Sequence, residues 1–166
     1  MPTDNTTRSA PSELMKVPDQ RLKDKVIAQY GAVCVRPNPK AENDIQVLLI
    51  TSRGSRRWVI PKGCRMPRKK PHEVARQEAW EEAGVRGQVK KKPVGHYTYV
   101  KKLRGPGAAP ALVQVHLLNV SELEQDYPEM GQRELQWFSP EEAACAVDEP
   151  ELKRLLRGIR KLYKKA

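Results

Sequence analysis

Gly63-Cys64-Arg65-Met66-Pro67-Arg68-Lys69-Lys70-Pro71-His72-Glu73-Val74-Ala75-Arg76-Gln77-Glu78-Ala79-Trp80-Glu81-Glu82-Ala83-Gly84-Val85 is the stretch whose reading decides the fold. Its second half has the marks of a helix. Pro71 suits the first helical position, Glu73 sits in the electropositive first turn, and Gly84 can take the left-handed conformation that ends a helix. Glu78, Glu81 and Glu82 fall at i, i+3 and i+4, so their carboxylates share a face. Ala75, Ala79 and Ala83 make a stripe of small residues that lets the helix lie close to a sheet. Like charges at this spacing repel. Either the face is simply solvated, or a divalent cation neutralises it, and hard oxygen donors suit Mg²⁺ or Mn²⁺.

The charge around this helix favours the second reading. The chain has 166 residues, with 31 Lys+Arg against 20 Asp+Glu and a formal charge of +11. Such an excess points to polyanions: nucleic acid, a membrane surface or a highly phosphorylated small molecule. Arg53, Arg56, Arg57, Lys62, Arg65, Arg68, Lys69 and Lys70 precede the acidic helix with no acidic residue among them. Cations for phosphates beside carboxylates for a metal are what phosphoryl chemistry needs.

Around this stretch the chain reads as strands. Val26 to Arg36 is β-rich and is broken by Pro37-Asn38-Pro39, and Ile45 to Ile50 is too continuously apolar to be half exposed. Thr51 to Arg57 is a turn and Trp58-Val59-Ile60 a short strand. Beyond the helix, strands are expected over Gly87 to Lys92, Val94 to Leu103 and Ala111 to Val120, with Arg104 to Pro110 as a hairpin connection. Gln136-Trp137-Phe138 is a last short strand, and Ser139 N-caps a helix reaching Val147. A single closing helix opens near Pro150, with Leu152, Leu155, Leu156, Ile159 and Leu162 on one face and basic residues opposite. Its narrow aliphatic stripe favours packing on the sheet over lying on a membrane. Strands interleaved with a central helix and closing helices imply an α/β fold with a sheet covered on both sides. The organisation expected is a disordered tail over residues 1–22 and one domain over 23–166. No apolar run is long enough to span a membrane, the start lacks a secretory h-region, and Cys34, Cys64 and Cys145 are scattered like free thiols in a reducing cytoplasm.

The box resembles that of the Nudix hydrolases, in which a glycine and a glutamate precede a helix reading Arg-Glu-apolar-any-Glu-Glu-any-Gly-apolar. Gly63, Glu78, Ala79, Glu81, Glu82, Gly84 and Val85 match; Lys69 stands where the family has Glu, and Gln77 where it has Arg. That Glu and Arg tend to pair in the family, so losing both strands neither partner. Within the family the likeness is nearest to the diphosphoinositol polyphosphate and diadenosine polyphosphate hydrolases. It is carried by Ala32 to Arg36, Leu48 to Arg53, Arg57 to Pro61, Tyr127-Pro128-Glu129 and Arg133 to Phe138. Lys62 before the box glycine is similar to some dinucleoside tetraphosphate hydrolases.

The resemblance implies an α/β/α sandwich with a mixed, partly curled sheet, and metal-dependent hydrolysis of a phosphoanhydride in a polyphosphorylated small molecule. A nucleoside diphosphate linked to another moiety also falls within that range. The Gly63 carbonyl, Glu78, Glu81 and Glu82 would hold Mg²⁺ or Mn²⁺, and Glu82, with Glu81 next, would take the proton from the attacking water. Arg53, Arg57 and Lys62 would clamp the outer phosphates, and Arg133 could join them. Glu129 is a candidate extra ligand or base, and equally a surface-loop glutamate. Of the aromatic residues, Trp58 reads as core, while one of Tyr97 and Tyr99 is free to face a ligand. His96 and His116 read as structural. Two alternatives stay open: removal of pyrophosphate from RNA 5′ ends, not favoured for want of an interleaved aromatic–basic strand, and a non-catalytic polyanion-binding module, motivated by Lys69 and Gln77.

Overall fold

The computed structural model describes residues 26–164. The tail expected over residues 1–22 lies outside the described residues. Eight strands form one open, mixed sheet with helices on both faces, the α/β architecture expected.

Two long strands form its spine. β1 (Ile27–Pro37) and β7 (Ala108–Leu123) run parallel, from Ile27 opposite Ala111 to Val35 opposite Asn119; all other pairs are antiparallel. Along its other edge β1 changes partner. Gln29 to Gly31 pair with β4 (Lys62–Cys64), whereas Cys34 to Pro37 pair with β2 (Ile45–Thr51). The sheet therefore forks where the chain turns from β3 (Trp58–Val59) into β4, and the fork places the box glycine beside β1. Ala32 donates its N–H to Pro61 O at 3.0 Å and pins this junction.

The apolar runs of β1 and β2 are explained by burial on both faces. Ala32, Cys34, Leu48 and Ile50 pack on one side with Ala75, Ala79 and Ala83 of α1 (Pro71–Ala83). Val33, Val35, Val47 and Leu49 pack on the other, under α2 (Pro140–Ala146), α3 (Pro150–Arg157) and α4 (Ile159–Lys164). Small residues on both α1 and β1 bring the helix backbone close to the sheet. The helix starts as its sequence requires: Glu73 accepts from the Lys70 N–H at 2.7 Å, closing the first turn. It ends at Gly84, φ 69°, whose N–H reaches the Trp80 carbonyl at 2.8 Å. The Ser139 hydroxyl accepts from the Glu142 N–H at 3.1 Å, the expected cap of α2.

The structure corrects several boundaries. The closing helix is broken in two at Gly158 (φ −92°, ψ 1°), whose N–H is shared between the Arg154 and Leu155 carbonyls at 3.2 Å each. Tightening the last turn re-aims the chain so that Leu152, Leu156 and Ile159 are all buried. β5 (Val85–Val89) begins directly after the helix cap, because Val85 is buried against α1 rather than spent in a loop. Between β6 (Gly95–Lys102) and β7 the connection is shorter than expected: Ala108, Ala109 and Pro110 already pair with Lys102, Lys101 and Val100. β8 (Leu135–Phe138) pairs with β2, and Phe138 meets Trp58 edge-on at 5.1 Å, which makes Trp58 a packing residue.

Candidate active site

The fork of the sheet opens into a cleft of about 610 Å³, with α1 on one wall and the outer half of β6 on the other. Helical spacing and the alanine stripe together decide which acids enter it. With Ala75, Ala79 and Ala83 against the sheet, Glu78 and Glu82 line the cleft, one turn apart. Glu82 is buried. Glu81 does not line the cleft: its carboxylate accepts from the Gln77 side chain at 2.9 Å, and its carbonyl accepts the Glu129 N–H at 3.0 Å. Gln77, standing where the resembling family has Arg, thus holds Glu81 along the helix. Lys69 is exposed in the preceding loop.

Gly63 faces Tyr30 of β1, and the Glu78 carboxyl fills the space that a side chain at Gly63 would need. A Cβ there would overlap Glu78 Oε1. The family-like glycine is therefore required by contact, since it lets a carboxylate rest on backbone.

The cations expected to clamp phosphates all line the cleft, and the arginines are already engaged by acids. Arg53, mostly exposed at the rim, lies 3.4 Å from Glu129 Oε1. Arg57 is bonded to Glu149, a buried acid at the N-cap of α3, and lies 3.7 Å from Asp148. Arg133 is nearly enclosed. It donates to the Thr51 carbonyl at 3.1 Å, and its Nη2 lies 3.3 Å from Glu129 Oε1 and 3.6 Å from Glu82 Oε1. Its Nε is buried without a partner. The Lys62 ammonium sits 4.9 Å from the centre of the Tyr99 ring. The other cations of the basic loop, Arg56, Arg65, Arg68 and Lys70 among them, stay outside the cleft. Glu129 lines the cleft between Arg53 and Arg133.

Sequence reasoning missed Glu149, Thr51 and Gln29. A glutamate before a proline looks like any helix start, and nothing local marks it as the buried counterion of an arginine far back in the chain. Tyr99, by contrast, is the tyrosine that faces the cleft, donating its hydroxyl to Gln29 Oε1 at 2.5 Å, while Tyr97 is buried. His116 is buried, with Nδ1 2.8 Å from the Lys90 carbonyl, a structural role.

Burial acts on this cluster in both directions. Desolvation raises the Glu82 carboxyl to about 8 against the pull of Arg133 and Lys62, and desolvation with the neighbouring Glu81 charge raises Glu78. Desolvation lowers the Lys62 ammonium, which Glu82 partly offsets. Carboxylates held above their usual range are short of positive charge, which a divalent cation would supply. Hard oxygens from Glu78 and Glu82 beside the Gly63 backbone fit Mg²⁺ or Mn²⁺. Among the described residues, no three acidic, histidine or cysteine side chains already converge as a ligand set.

A pH effect follows. Because folding raises the Glu82 pKa, the folded metal-free protein binds a proton more tightly than the unfolded chain. The associated stability is fully present below the unfolded value of 4.5 and is lost as pH rises through about 8. Thermal melting of the metal-free protein beside Glu82→Gln should show the variant gaining on wild type as pH rises across that window. Equal pH slopes for the two proteins would disprove the assignment.

Comparison with known proteins agrees with the geometry. The profile described as NUDIX domain matches residues 28–160. "Nudix hydrolase 13, mitochondrial" of Arabidopsis thaliana is 34% identical over 107 residues, 61% of this chain and 53% of the relative. Human "Diphosphoinositol polyphosphate phosphohydrolase 3-alpha" is 30% identical over 115 residues, 63% of this chain and 61% of the relative. The chain thus spans between 53% and 61% of the length of these two relatives. A solved Caenorhabditis elegans Ap4A hydrolase, in a binary complex, superposes with a TM-score of 0.61 at 22% identity, covering 84% of this chain and 99% of that one, a likeness of fold. With the profile spanning both faces of the sheet and the whole cleft, the chain belongs to the Nudix family.

Proposed function

We propose that this chain is a divalent-metal-dependent pyrophosphohydrolase that cleaves a phosphoanhydride bond in a polyphosphorylated small molecule of the diphosphoinositol polyphosphate or diadenosine polyphosphate type. One observation carries the reading: Glu78 and Glu82 line a single cleft together with Arg57, Lys62 and Arg133. Carboxylates for a cation and cations for phosphate meet there within one substrate's length. The names of the relatives, which include diphosphoinositol polyphosphate phosphohydrolases, support the same class.

Glu78, Glu82 and the Gly63 backbone would hold the metal. Bound Mg²⁺ or Mn²⁺ neutralises phosphate charge and acidifies water. Glu82 accepts the proton of the attacking water; the water oxygen bonds to phosphorus as the anhydride P–O bond breaks, and the leaving phosphate departs with that bond's electrons. Beside a bound divalent cation the Glu82 carboxyl would be held ionised, free to take that proton. Arg133, nearly enclosed and held by Glu129 and the Thr51 carbonyl beside Glu82, fixes a positive charge next to the reacting bond that steadies the departing charge. Arg57, fixed by Glu149, presents a cation at the cleft wall, and Arg53 closes the rim. The cysteines are free, Cys34 buried and Cys64 and Cys145 exposed, which suits a reducing compartment such as the cytoplasm.

The test is a substrate panel with Mg²⁺ and Mn²⁺: a diphosphoinositol polyphosphate, a diadenosine polyphosphate, a nucleoside triphosphate and 5′-triphosphorylated RNA. Hydrolysis of one of the first two above the others is the expected result. A preference for the RNA, or no hydrolysis of anything, would overturn it in favour of an RNA-end enzyme or a binding module.

A further inference from the structure

Glu149 occupies the N-cap of α3, where a short polar side chain would close the first turn of the helix, yet its own side chain makes no capping hydrogen bond. It reaches instead to Arg57, 92 residues back in the chain, and is bonded to Nη1. The carboxylate is buried, and its Oε2 has no partner. A half-satisfied buried anion is a poor stabilising device, since desolvation offsets most of the attraction within the pair. Neither helix capping nor net stability explains why a glutamate stands here.

What the bond does to Arg57 is more specific. The backbone of Arg57 is already fixed by the turn after β2: its N–H donates to the Ser52 hydroxyl at 3.2 Å, and its carbonyl accepts from the Ser52 N–H at 2.8 Å. Its side chain then meets acids through one nitrogen. Nη1 is bonded to Glu149 and lies 3.7 Å from the exposed Asp148. Among the described residues, Nε and Nη2 donate no hydrogen bond to the protein, and unlike Arg133 Nε they are not sealed from solvent. Arg57 lines the cleft and Glu149 does not. The pair therefore leaves the Nε–Nη2 edge, the flat two-donor fork of the guanidinium, available at the cleft wall.

We infer that Glu149 is a positioning residue: acting through Nη1, it turns Arg57 so that Nε and Nη2 take two oxygens of one phosphate of the bound polyphosphate. This deepens the phosphoanhydride reading of the cleft and rests on it for the ligand. An arginine ordered before the ligand arrives loses less rotamer freedom on binding, and a fork held in one plane selects phosphate oxygens at one place in the cleft. The charge of Glu149 opposes an anion; its reach is what assists.

Two substitutions separate reach from charge. Glu149→Asp keeps the charge and shortens the side chain by one methylene. Because Asp at an N-cap can close α3, this variant should melt no lower than wild type. Glu149→Gln keeps the reach, and its amide oxygen can still accept from Nη1. The probe is inorganic triphosphate, titrated calorimetrically into the full chain in buffer without divalent ions. Glu149→Asp should bind it about three- to tenfold more weakly, the cost of ordering one long side chain during binding. Glu149→Gln should bind within about twofold of wild type, or more tightly. In an Arg57→Gln background, Glu149→Asp should change the affinity by less than about twofold, because the group it positions is gone. Unchanged affinity in Glu149→Asp overturns the inference, since the reach of the side chain would then not matter. So does a loss of equal size in the Arg57→Gln background, which would make Glu149 a structural clip between α3 and the turn. So does a wild type that binds no triphosphate. If wild type hydrolyses no anhydride while the variants give the expected losses, the catalytic reading falls and the positioning role stands.

Discussion

Glu82→Gln should lose about 10²–10⁴ in kcat on whichever anhydride the wild type cleaves, and should fold at least as stably. The amide keeps the shape of the side chain but cannot take a proton and is a poorer partner for a divalent ion. Its stability is set by burial. A carboxyl that desolvation raises to about 8 is an unfavourable anion in the metal-free protein, and a neutral isostere removes that cost at neutral pH. Rates and melting temperatures measured on the same preparation separate the two effects. A variant as fast as wild type would remove Glu82 from the chemistry, and one that melts far lower would make it structural. Glu81→Gln should be milder than Glu82→Gln, because Glu81 is bonded to Gln77 and does not line the cleft.

Gly63→Ala should be nearly as damaging, through a single methyl group. The added carbon would overlap the Glu78 carboxyl, so either Glu78 swings away or β4 shifts from its pairing with β1. The overlap is with the far end of a flexible side chain at the cleft, so the fold should lose little stability while the carboxyl is displaced. Moving a reacting group by ~1 Å costs about 10²-fold in rate. The variant should also weaken Mn²⁺ binding, measured by electron paramagnetic resonance on the free protein. Undisturbed Mn²⁺ binding would mean that Glu78 is not a ligand. Ala at Gly54, where a Cβ meets nothing within 4 Å, is the matched control in the neighbouring loop.

Much of the architecture was legible because it is local or periodic. The alanine stripe, Pro71 and Gly84 specify α1 and the face it buries, and Ser139-Pro140 specifies the start of α2. The unbroken apolar runs of β1 and β2 announce strands buried on both faces. The break at Gly158 was hidden, because Leu152 to Leu162 keep helical spacing across it and only the packing of Ile159 requires the bend. The start of β5 was hidden for a similar reason, since Val85 is drawn into the core by a helix that precedes it.

By itself the sequence determined that Glu78, Glu81 and Glu82 share a helix, that a glycine precedes them, and that cations outnumber acids upstream. Those properties follow from spacing and composition, which need no partner elsewhere in the chain. Tertiary structure decided the rest: that Glu82 is buried while Glu81 turns along the helix, and that Glu149 engages Arg57. Each depends on desolvation or on contact between distant segments, and neither is encoded in the residues nearby.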